Sequence, residues 1–423
     1  MRTQLPLCDY RRCLILAAFV LLFAQGSLAG PRYRVLHSFD GTDGSSLWRG
    51  VVLDGQGDVF GTAVGGGGSG CYGYGCGTVF ELLPRRTGKW RFALVHNFGD
   101  GLDGAVPYGG LVLDASGNLY GTTTMGGANN SGTAFELSPD ADGWSLTTLY
   151  DFCSESGCPD VGTMAALAWG KKGELYGTSQ GGGTDGGEIF ELAPSHDNWS
   201  YTLIHTFQAS YYNQPAPGGS NPYAGLIVDS AGNLYGTTWI GGIACAGGNS
   251  CGVVYELTPK IGGGWKEIVL HRFHGTDGVN PGWGALLLDA SGALYGTTTG
   301  GGLRYGVVYK LTPQPDGHWK EKILYEFKGG AKGFLPNAGV VMDKAGNLYG
   351  ITDAGGYGDC GVIYKLAPQP TGKWAYTVLH TFGQGDDGCM PEGNLAINQK
   401  GKLYGGTVLG GAYGAGIVFQ VTP

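Results

Sequence analysis

"DASGNLYGTT", residues 114–123, reads as the end of one strand, a tight turn and a second strand. The Asp can bond its own backbone two residues on, and the Gly takes the positive φ that a tight hairpin requires. Nearly the same line is written seven times. The aromatic residue at its centre falls at Phe60, Tyr120, Tyr176, Tyr235, Tyr295, Tyr349 and Tyr404, at spacings of 60, 56, 59, 60, 54 and 55 residues. A period that long and that regular marks a repeat architecture and decides the fold before any local assignment does.

Each copy contains four apolar segments of strand length. In the second copy they are A, "GGLVLD" at 109–114; B, "NLYGTT" at 118–123; C, "GTAFEL" at 132–137; and D, "WSLTTLYDF" at 144–152. Strand C returns as "GTVFEL", "GEIFEL", "GVVYEL", "GVVYKL", "GVIYKL" and "GIVFQV". Four strands per unit and seven units predict an all-β fold, a seven-bladed β-propeller of four-stranded antiparallel blades. A linear solenoid would need polar capping repeats, and none is visible. The ends agree with a ring: "YRVLHSF" at 33–39 is a D strand with no A, B or C before it, and "GIVFQV" at 416–421 is a C strand with no D after it. The N-terminal strand is therefore expected to complete the last blade, closing one domain over residues 30–423.

The "GNLYGTT" line, followed by a glycine pair and an "FEL" strand, resembles the secreted bacterial proteins built from the GloVer (Gloeo/Verruco) tandem repeat. The likeness covers all seven copies. It implies the propeller fold and export, and it brings no substrate with it.

Residues 1–29 stand outside the repeat and have the three parts of a secretory signal: Arg2, Arg11 and Arg12, then the apolar "CLILAAFVLLFA", then small Ser27 and Ala29. The apolar run is shorter than a membrane span requires. The chain stops two residues after its last strand, so no C-terminal anchor is expected. A secreted or periplasmic monomer follows. Losing the signal removes three arginines and Asp9, which takes the formal charge from −8 to −10. Nucleic acid is thereby disfavoured as a partner, because its binding needs a basic face.

Eight cysteines remain, all in B-to-C or D-to-A loops, which emerge on one face of an antiparallel blade. An even count in an exported chain predicts disulfides, here Cys71 with Cys76, Cys153 with Cys158, Cys245 with Cys251 and Cys360 with Cys389. Zinc is the competing reading, but no His lies in those loops.

The repeat separates structural residues from functional candidates. His37, His96, His205, His271 and His380 share one slot of strand D and are expected to pack or bond between blades. His274 is off the pattern, and reads as an isolated residue of a surface loop. Asp54, Asp114, Asp229, Asp289 and Asp343 read as turn formers rather than calcium ligands, and Asp43, Asp103, Asp277 and Asp387 likewise. No metal or cofactor is expected.

The innermost strand lines the channel. Six residues before the turn Asp, or its equivalent, stand Trp48, Tyr108, Met164, Tyr223, Trp283, Asn337 and Glu392; just beyond "YGTT" stand Val64, Thr124, Gln180, Trp239, Thr299, Asp353 and Val408. Aromatic faces can stack on sugar rings while polar groups bond hydroxyls, so Trp48, Tyr108, Tyr223, Trp239, Trp283, Asn337, Asp353 and Glu392 are the candidate ligand-binding residues. The partner expected is a polysaccharide or an envelope or extracellular protein. The alternative is a carbohydrate-active enzyme, a hydrolase or lyase, with Asp353 and Glu392 as its carboxylates. There is no G-x-S-x-G, no H-E-x-x-H and no phosphate-binding glycine loop.

Overall fold

The computed structural model describes residues 30–423 apart from 69, 100, 155–162, 182–184, 197, 212–213 and 246–249, and apart from the side chain of residue 72. The expected signal segment and Cys158 lie outside the described residues. Seven antiparallel sheets follow one another around a ring, and the described residues contain no α-helix. The first blade is typical: Val52–Leu53, Val59–Ala63, Thr78–Pro84 and Trp90–Asn97, ordered from the inside outward as A, B, C and D. In the last blade Arg32–Ser38 takes the outer place. It pairs with Ile417–Thr422 from Arg32↔Thr422 to Ser38↔Ile417, so the N-terminal strand closes the ring as expected.

The apolar core is divided among the blade boundaries. Seven clusters of buried side chains fill the seven boundaries, each drawing on two neighbouring sheets. At the closure, Phe39, Tyr404 and Val418 pack on Val59 and Phe80. A single twisted sheet exposes two apolar faces, and this arrangement covers both.

The repeated residues now have causes. In the turn, Asp54 Oδ1 accepts from the backbone N–H groups of Gln56, Gly57 and Asp58 at 2.9, 2.7 and 2.8 Å. Gly121 of the "YGTT" line has no room for a side chain, since a Cβ there would stand 2.6 Å from the ring of Phe135 on strand C. The Thr that follows crosses to the next blade: Thr122 Oγ1 donates to Thr163 O at 3.1 Å, and Thr297 Oγ1 to Ala338 O at 2.8 Å.

Strand A departs from the expected six-residue run. In the second blade only Val112–Leu113 pairs as a strand, and contact with strand B resumes at the bridge Ala105↔Met125. The fifth blade shows why. Pro281 pairs with Thr298 and Leu287 with Tyr295, so five inner residues oppose two on strand B. The surplus bulges out of the ladder.

Three predicted disulfides are present, Cys71–Cys76, Cys245–Cys251 and Cys360–Cys389. The pairing of Cys153 with Cys158 falls on Cys158 and lies outside the described residues. Among the described residues no helix is long and apolar enough to cross a membrane.

Candidate functional site

The bulge carries the site. It frees the inner strand from strand B just before the turn, so side chains of successive blades meet around the channel instead of packing within their own sheets. Trp48 stacks with Tyr108 at 5.5 Å between ring centres, and Tyr223 with Trp283 at 5.1 Å. Trp239 sets its edge against both members of the second pair, at 6.0 and 6.2 Å. These aromatics are half-buried.

Arg49 ties the two groups together, and the sequence reading passed over it. Its Nε donates to Met164 O at 2.8 Å in the third blade, and its Nη1 to Trp283 O at 3.2 Å in the fifth. A side chain from the first blade that reaches both must cross the axis. Its guanidinium lies 5.8 Å from the Tyr108 ring centre and 5.4 Å from that of Trp283, close enough for cation–π attraction. Arg49 thus forms a floor beneath the aromatic mouth. Below it lies a cavity of about 180 Å³ lined by small residues, among them Gly50, Gly110, Ala166 and Gly225. The signal was present: the other blades carry Gly109, Ala165, Ala224, Gly284, Ala338 and Gly393 at this position, and one blade carries Arg.

Blades six and seven supply the polar side. Asn337 Nδ2 donates to Glu392 at 3.3 and 3.4 Å, and both residues are buried. Burial lifts the Asp353 carboxyl well above the ordinary carboxylate range, and the adjacent, hydrogen-bonded Glu392 lifts it further. Glu392 is raised by burial as well, but contacts with Asp353, Arg49 and Asn337 favour its charged form. Two neighbouring buried carboxyls resist ionising together, which adds to burial in raising Asp353, while Arg49 and Asn337 favour the charged form of Glu392. Tyr108 is pushed up to about 12, mainly by burial. Four buried polar atoms in this cluster take no hydrogen bond within the protein: Arg49 Nη2, Trp283 Nε1, Asn337 Oδ1 and Asp353 Oδ1. Two are donors and two are acceptors.

All eight candidates therefore gather around Arg49. The repeated histidines serve elsewhere. The "DG" aspartates partner them: His37 with Asp43 at 2.7 Å, His96 with Asp103 at 3.0 Å, and His380 with Asp387 at 3.0 Å. His37 also stacks on Phe92 of the next blade, and Tyr33 on His380. His274 is not isolated. Its Nδ1 lies 3.2 Å from Asp277 Oδ2, which also meets His271 Nε2 at 3.1 Å. Among the described residues, this trio alone brings three metal-ligating side chains within reach of a common ion.

A ring of seven four-stranded blades with a partly plugged channel defines the class: a seven-bladed β-propeller. The chain belongs to the Gloeobacter/Verrucomicrobia repeat family, whose pattern it matches over residues 25–248, 74–302 and 242–423. No curated protein matches it. Among solved structures it is similar to a putative 6-phosphogluconolactonase from Bacteroides uniformis, at 14% identity and a TM-score of 0.51, over 82% of this chain and 88% of that one. It is also similar to a putative 6-phosphogluconolactonase from Bacteroides fragilis, at 12% identity and a TM-score of 0.50, over 82% and 87%. At such identities the likeness concerns the fold.

Proposed function

We propose that the channel mouth on the disulfide-bearing face binds a neutral polyhydroxylated ligand, a saccharide unit of an envelope or extracellular polysaccharide, and that the protein is an exported binding scaffold. The observation that carries this reading is the convergence of two unpartnered donors and two unpartnered acceptors beneath aromatic faces. Sugar hydroxyls both donate and accept, and sugar rings offer flat C–H faces for stacking. Buried polar groups left unpaired in the empty state gain most when such a ligand arrives. Arg49 and Glu392 offset each other, so the mouth favours neither strong anions nor cations. The disulfides fit an oxidising compartment, periplasmic or extracellular, and the N-terminal segment supplies the export signal.

Binding is favoured over hydrolysis by one feature of the carboxylates. Cleavage of a glycosidic bond between two carboxyl groups needs them about 5–9.5 Å apart. Asp353 and Glu392 are instead immediate neighbours, with the charge of Glu392 raising the Asp353 carboxyl. The test is tryptophan fluorescence of the mature protein titrated with soluble neutral polysaccharides, beside Trp283→Ala. A saturable change abolished by the substitution is expected. Silence across the panel would overturn the saccharide reading and turn attention to a protein partner on the same face.

A further inference from the structure

His271, His274 and Asp277 sit at the boundary between the fourth and fifth blades. Their ligating atoms lie within 4.8 Å of one another. The ring provides its own controls, because three other blades carry the same His–Asp pair without a second histidine. In the sequence "HSFDGTDG" at 37–44 the matching residue is Asp40, whose Oδ1 accepts from the N–H of Thr42. In "HRFHGTDG" at 271–278 it is His274, whose backbone N–H keeps the loop bond to Asp277 Oδ1 at 2.7 Å while its ring turns to Oδ2.

A fourth group comes from the neighbouring blade. Where Phe92 lies against His37, the matching position beside His271 is Glu321. Its Oε1 is buried and takes no hydrogen bond. Its carboxyl is raised to about 6 by burial, with the charge of Asp277 adding to the shift and His271 opposing it. The trio's two imidazoles and one carboxylate suit a divalent transition metal, since hard cations such as calcium and magnesium prefer oxygen alone, and Glu321, outside the trio's immediate group, would have to turn in as a second carboxylate. Donors about 2.0–2.2 Å from zinc at tetrahedral angles stand roughly 3.3–3.6 Å apart. The separations of 3.1 and 3.2 Å need only a slight opening to admit an ion. Access exists as well: the His274 ring is 60% exposed, and it lines a cavity of about 620 Å³ whose wall includes Trp239, Asn280 and Arg304.

We propose that His271, His274 and Asp277, completed by Glu321, bind one divalent transition metal ion of the zinc type. Two neutral imidazoles and two carboxylates would balance its charge, and the ion would tie the two blades together at their outer strands.

The experiment is calorimetric titration of zinc chloride into the untagged mature protein after chelator treatment, with His274→Ala, Glu321→Gln and His96→Ala titrated alongside. Because His274 is largely exposed, its removal leaves the fold intact, which the melting temperature in chelator verifies. One equivalent is expected in the wild type and in His96→Ala, with affinity weakened more than about tenfold in His274→Ala. No saturable uptake by the wild type, or uptake indifferent to His274, would overturn the proposal. The saccharide titration is read through Trp283, which does not line this cavity, so either result stands without the other.

Discussion

Asp353 holds a proton that its unfolded counterpart releases. Its carboxyl is raised from the ordinary 3.8 by burial and by Glu392, so the folded chain binds more protons than the unfolded one once the pH exceeds that value. Stability then falls as pH rises, by at most about 1.4 kcal/mol per pH unit for one proton. Asp353→Asn keeps the shape and removes the titration. The variant should gain on the wild type as pH rises above the ordinary Asp value of 3.8 until the folded carboxyl itself ionises, and the gap should be constant below that value, as read from urea midpoints across pH. A gap that does not change with pH would show that the Asp353 carboxyl is not raised. Asp353 and Glu392 were legible in the sequence as departures from what the other blades carry. Arg49 obeys the same logic one position further on, where six glycines and alanines leave the axis open and one arginine crosses it. His274 escaped for another reason: the loop closure onto Asp277 recurs in other blades, but the histidine in that slot does not, and a single off-pattern residue gives no sign that its ring turns to the same Asp.

Strands B, C and D were readable because each has a local cause. Asp and Gly fix the hairpin before B, "YGTT" supplies the gap for the strand C aromatic, and Trp opens D. Strand A has no such cue. "GGLVLD" looks like one continuous strand, yet its first residues leave the ladder because seven inner strands converge on the axis and little space remains for side chains. Gly50 shows the crowding. A Cβ there would overlap the carbonyl oxygen of Asn394 in the last blade, whereas Ala166 and Ala285 are accommodated at the same position in other blades. Gly50→Ala should therefore cost more than the usual surface substitution, about 1–3 kcal/mol or above, because backbone must move at the closure. Denaturant unfolding measures it, and a neutral result would mean that the inner strands are more loosely set than their contacts imply.

At the scale of the whole ring, two devices hold the last blade shut. The Cys360–Cys389 disulfide, with a sequence separation of 29, joins the sixth blade to the inner strand of the seventh. Chain-entropy reasoning gives a closed loop of that size about 3–4 kcal/mol of stabilisation. The outer device is Arg32–Ser38, which caps the edge of Ile417–Thr422 and brings Tyr33 onto Phe382 and Phe419 and the fully buried Phe39 onto Phe80. Removing residues 30–39 would leave the disulfide intact and expose that edge with its apolar neighbours. An uncovered strand edge recruits another chain, so the truncated protein is expected to melt at lower temperature and to self-associate as concentration rises, visible by light scattering on a sizing column. The full-length protein should remain a single species under the same conditions. Were the truncated form to stay monomeric with an unchanged melting temperature, the seven blades would be held by their mutual packing alone, and the strand that begins the ring would be an addition to the closure rather than its cause.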